Sequence, residues 1–73
     1  QTRGIEGYVI LEYIVTRTGA VRDPVVIDAK PPGIFNRAAI SAALKYKYKP
    51  KVVNGEAIDV AGVKTRITFE MAD

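Results

Sequence analysis

Between residues 8 and 17 the side chains sort by a period of two. Val9, Leu11, Tyr13 and Val15 fall on one side, the spacing of a strand with one face in a core. The other side carries Tyr8, Ile10, Glu12, Ile14 and Thr16 and is not cleanly polar. Arg17-Thr18-Gly19 reads as a short hairpin loop, with Gly19 in a left-handed position. Val21 to Asp28 is then a second, antiparallel strand. Pro24 inside it has no N–H to give to a ladder, so this strand belongs at a sheet edge or bulges there.

Pro31-Pro32-Gly33 ends the hairpin, and the period changes. The alanine-rich run from Arg37 to about Lys47 predicts a helix, capped by Asn36 or a residue just before it. Phe35, Ala39, Ala42 and Tyr46 stack on one helical face, with Tyr48 packing over the core edge. Lys45, Lys47 and Lys49 crowd the carbonyl end, where the helix dipole favours cations, and Pro50 stops the helix. Asn54-Gly55 is a tight-turn signal between short extended pieces at 51–53 and 56–60. Val63 to Met71 is the last long strand. Val63, Thr65, Ile67, Phe69 and Met71 face one way, and Lys64, Arg66, Thr68 and Glu70 face the other. The order β-β-α-β predicts an α+β fold: a small antiparallel three-stranded sheet with one main helix packed on one face.

Composition narrows the chemistry. Seventy-three residues make one domain, and 48% hydrophobic with 26% charged residues is a globular balance. Cysteine and histidine are both absent, which removes disulfides, thiol nucleophiles, the Ser-His arrangement and most zinc sites. The acids Glu6, Glu12, Asp23, Asp28, Glu56, Asp59, Glu70 and Asp73 are scattered over turns and strand exteriors, without the spacing of a catalytic pair or a calcium loop. We therefore expect no enzyme, no catalytic residue, no metal and no cofactor. No apolar run is long enough to span a bilayer. The chain lacks a starting Met and begins close to its first strand, so we expect residues 1–73 to be a single domain cut from a longer protein.

Lysines exceed what the fold needs. The formal net charge is +3, and Lys45-Tyr46-Lys47-Tyr48-Lys49-Pro50-Lys51 interleaves four lysines with two tyrosines. Cations for phosphate and rings for stacking are the ingredients of nucleic-acid binding. The stronger reading is a pair of core tyrosines on a solvated helix end, and we expect no nucleic acid. The sheet edges offer another route to a partner. With residues 8–17 in the middle, the flanks are 21–28, blunted by Pro24, and 63–71. The second flank would leave N–H and C=O groups open for a docked peptide, a second copy or a cover. The face bearing Ile10 and Ile14 raises the same question.

The ordered series is recognisable. Gly7-x-Val9-x-Leu11-x-Tyr13-x-Val15, then Gly19-x-Val21, Ala29-Lys30-Pro31, Phe35, the Ala38-Ala39-x-x-Ala42 helix and Tyr46-Lys47-Tyr48-x-Pro50 resemble the C-terminal domain of the TonB energy-transducer family. The family's usual Trp-Arg-Tyr-x-Pro stands here as Tyr46-Lys47-Tyr48-Lys49-Pro50, and the resemblance runs from about Ile5 to Met71. It implies a periplasmic domain of a protein anchored in the inner membrane of a Gram-negative bacterium, with ExbB and ExbD as partners of the absent N-terminal region. It implies that outer-membrane TonB-dependent transporters offer a TonB box, which adds as a strand beside Val63, Lys64, Thr65, Arg66, Ile67, Thr68, Phe69 and Glu70. Force through that strand would admit siderophore iron or cobalamin. Tyr13, Phe35, Tyr46, Tyr48 and Pro50 match the family's core aromatic and motif positions. A homodimer by strand pairing or exchange is a further expectation, and a TolA-like envelope domain is the alternative.

Overall fold

The computed structural model describes the backbone of residues 4–72 and the side chains of residues 6–70. Its elements run β1 (Gly4–Val15), β2 (Val21–Lys30), α1 (Asn36–Leu44), β3 (Lys51–Val53), β4 (Glu56–Ile58) and β5 (Val60–Ala72). A three-stranded antiparallel sheet has the order β2-β1-β5, and β3 and β4 form a separate hairpin. This is the α+β fold that the sequence pattern implies; β1 both starts and ends earlier than residues 8–17, β2 runs on to Lys30, and β5 gains residues 60–62 and 72. The side chain of Met71 lies outside the described residues.

Burial follows the period of two in β1. Val9, Leu11, Tyr13 and Val15 are buried, together with Val21, Phe35, Ala39 and Ala43. Helix α1 packs on β2 and β1, and the small alanines allow the close approach. Gly7 serves the same end in the sheet. A Cβ there would lie 2.3 Å from the Lys30 carbonyl oxygen and 2.8 Å from the Phe35 ring. Gly19 has φ +87°, and its carbonyl accepts the Tyr48 N–H at 2.8 Å. Asn54 and Gly55 both have positive φ, 52° and 81°, as a two-residue hairpin turn requires.

Three expectations for the helix need correction. It ends at Leu44, not near Lys47, and Lys45 is its C-cap. Tyr46 to Pro50 is extended instead: Lys47 bridges to Ala20, because Tyr48 finds its backbone acceptor in the hairpin loop and Pro50 excludes further helix. The lysines at 47 and 49 therefore stand beyond the helix rather than on its carbonyl end. The buried helix positions are Ala39 and Ala43, with Ile40 beside them; Ala42 is half-buried and Tyr46 lies past the helix. Asn36 is the first helical residue, so it cannot cap. Phe35 holds the cap position without a side-chain acceptor, and the Asn36 Oδ1 is buried without a hydrogen-bond partner.

Pro24 acts as its position in the sequence implies. β2 lies at the edge, Asp23 has φ 53°, and the β1–β2 register shifts between Ile10 and Leu11 and again between Glu12 and Ile14. A proline and bulges together make a poor template for another strand.

Candidate functional site at the β5 edge

The opposite edge is built differently. From Gly4↔Ala72 to Tyr13↔Val63, β1 and β5 pair through ten successive residues without a register shift. The irregularity of this ladder comes only at its far end, between Tyr13 and Val15, where Gly62 has φ +72°. Among the described residues β5 pairs with β1 alone. Its second row of backbone donors and acceptors is therefore open along the whole of Val63–Glu70, and that stretch contains no proline.

The two faces of β5 differ. Val63, Thr65, Ile67 and Phe69 stand opposite Tyr13, Leu11, Val9 and Gly7 and share the helix side of the sheet. Because α1 sits over β2 and β1, these four remain half-buried and form an apolar shelf beside the core. Phe69 is anchored there by stacking on Phe35, with ring centroids 4.7 Å apart and planes 3° from parallel. Lys64, Arg66, Thr68 and Glu70 are exposed on the other side, opposite Glu12, Ile10, Tyr8 and Glu6.

Arg66 is held more firmly than its exposure suggests. Its guanidinium carbon lies 4.5 Å from the centroid of the Tyr8 ring, a cation–π contact. The Tyr8 hydroxyl in turn donates to the Asp28 Oδ2 across the sheet at 3.2 Å. Arg66 has no carboxylate partner among the described residues, where the ion pairs are Arg17–Asp59 and Arg22–Asp23. A cleft of about 300 Å³ opens beside it, lined by Glu6, Gly7, Tyr8, Lys30, Thr68 and Phe69. Tyr8 was not among the expected site residues. Only the strand register, which sets Thr68 across from Tyr8 and Arg66 one step diagonal to it, brings them together.

The motif aromatics are placed in the core rather than at the edge. Tyr13 is buried, and its hydroxyl shares a hydrogen bond with that of Tyr48. Their rings meet edge to face at 6.0 Å. Burial first, and the Tyr48 hydroxyl second, push the Tyr13 hydroxyl well above the usual tyrosine range. Tyr46 and Tyr48 are half-buried with centroids 6.4 Å apart, and Pro50 follows them half-buried.

Comparison with known proteins places this geometry. The family described as Gram-negative bacterial TonB protein C-terminal matches residues 1–71. The chain belongs to this TonB C-terminal family. It is 33% identical over 58 residues to Protein TonB of Pseudomonas aeruginosa, a match covering 80% of this chain and 17% of that protein. The chain thus spans about a sixth of that relative's length. A solved structure of the TonB2 protein from Vibrio anguillarum is similar with a TM-score of 0.68 and 39% identity, over 97% of this chain and 67% of that one. Membership of the TonB family decides against the TolA-like alternative. Among the described residues no helix is long and apolar enough to cross a membrane.

Proposed function

We propose that this domain receives the TonB box of an outer-membrane transporter as an added strand along Val63–Glu70. The observation that carries the proposal is the contrast between the edges. One is interrupted by a proline and two register shifts, the other is ten pairs of regular ladder with its outer side open. Backbone bonding along such an edge asks little of the partner's sequence, so one domain can serve several transporters. A pull along the added strand loads its ladder bonds together rather than one by one, and β5 passes the load to β1 over the same length. In the full-length protein this domain stands in the periplasm, an N-terminal segment anchors it in the inner membrane with ExbB and ExbD, and the cargo is siderophore iron or cobalamin.

Titration of the labelled domain with a TonB-box peptide tests the reading. Backbone amide shifts should concentrate in residues 63–70. Shifts confined to β2, or none at saturating peptide, would sink it.

A second reading of the same edge is a homodimer. Antiparallel pairing of two β5 strands about Thr68 sets Arg66 opposite Glu70 of the second copy, and does so twice by symmetry. Opposite charges at both points favour that register. Peptide and second copy would then compete for one surface.

A further inference from the structure

The lysine–tyrosine run plays no part at the β5 edge, and the structure changes what it can do. Exposure alternates residue by residue from Lys45 to Lys51: the four lysines are exposed, and Tyr46, Tyr48 and Pro50 are half-buried. The run is pinned by the Lys47–Ala20 bridge and by the Tyr48 N–H bond to the Gly19 carbonyl. Residues of like parity in an extended chain share a side at roughly 6–7 Å spacing. Lys45 is the helical C-cap, with φ −91° and ψ −6°; beyond it the extended run sets Lys47, Lys49 and Lys51 in a row on one side. Neither ion pair among the described residues involves any of them. Leu44 before the row is 53% exposed, and Val52 and Val53 after it are 61% and 42% exposed.

We propose that this row and its aliphatic flanks form a peripheral docking surface for a bilayer face rich in anionic phospholipid. Lysines that reach headgroup phosphates, beside aliphatic side chains that enter the acyl boundary, are the combination interfacial binding uses. Nucleic acid fits less well. Single-strand binding needs open rings for the bases, and here both rings are turned into the core, with Tyr48 bonded to Tyr13. The row is attached at the head of β2, whereas β5 forms the other edge of the sheet, so lipid and peptide can be held together.

Co-sedimentation with vesicles is the test. The domain should bind phosphatidylglycerol-rich vesicles, ignore pure phosphatidylcholine, and be released as salt shortens the screening length. Each lysine near such a surface is worth about fivefold in affinity, so Lys47→Gln with Lys49→Gln should weaken binding about 30-fold. Arginine at both positions should retain it. Leu44→Ser with Val53→Ser, the exposed valine on the lysine side, should weaken binding without changing its salt slope. Far-UV circular dichroism checks that each variant is folded. Equal binding to both vesicle types, no binding at low salt, unchanged binding by the glutamine variant, or tighter binding to a single-stranded oligonucleotide than to anionic vesicles would each overturn the proposal.

Discussion

Two residues are fixed by space and by proton affinity. Gly7 lies under the Lys30 carbonyl, the Phe35 ring and Pro31 with no room for a methyl group. The nearest obstacle is backbone, which cannot swing aside. Gly7→Ala should therefore cost about 1–3 kcal/mol in urea unfolding, the usual range for an overpacked site. An unchanged midpoint would mean that the strand can shift at no cost. Tyr13 is decided by its hydroxyl. Its folded pKa lies above the unfolded value of about 10, because burial and Tyr48 disfavour the phenolate. As pH rises past that value, the unfolded chain releases a proton that the folded chain keeps. Stability present below pH ~10 is therefore lost above it. Tyr13→Phe removes this contribution, so the stability gap between wild type and variant should narrow from pH 8 to pH 11. A constant gap would show that Tyr13 does not drive alkaline unfolding.

The β5 strand allows a sharper test than side-chain changes do. Successive backbone N–H groups along a strand point to opposite edges. Of Thr65 and Arg66, one therefore donates toward β1 and the other toward the open side. Proline at the first should break the sheet, and proline at the second should leave a folded domain that no longer takes peptide. Circular dichroism and the amide titration separate the two. Two folded variants that both bind would exclude strand addition at this place. The hairpin β3–β4 behaves as a third kind of element. All its residues are exposed, among the described residues it is hydrogen-bonded into a sheet of its own, and a lone two-stranded hairpin is marginal in water.

As a whole the molecule is long. Its extents are 55 × 20 × 14 Å and its radius of gyration is 14.7 Å, against about 11 Å for a compact chain of this length. Among the described residues eight buried apolar side chains form the core, and the helix lies on one face of the sheet. A chain with so small a core would gain by adding a strand to its open edge, as both proposed readings of that edge require. Sedimentation should show the 8.0 kDa species giving way to a dimer as concentration rises, with TonB-box peptide reversing the change. One species across a wide concentration range would exclude self-pairing, while leaving the peptide site to its own titration.

Much of this was legible in the chain. The alternation of Val9, Leu11, Tyr13 and Val15 set the core strand, Asn54-Gly55 set a turn, and Pro24 marked the blunt edge, because each acts through local backbone geometry. The sequence also held the ordered motifs by which the family is recognised. It did not settle where the helix stops. Alanine and lysine propensity favoured continuation up to the stop at Pro50, and the Gly19 carbonyl, distant in the chain, drew Tyr48 into an extended path before it. Nor did it pair Arg66 with Tyr8. That contact depends on the register between β1 and β5, a relation between two segments that neither specifies alone. Local preference determined the elements; which edge lies open, and which charges stand in a row, was decided when they packed.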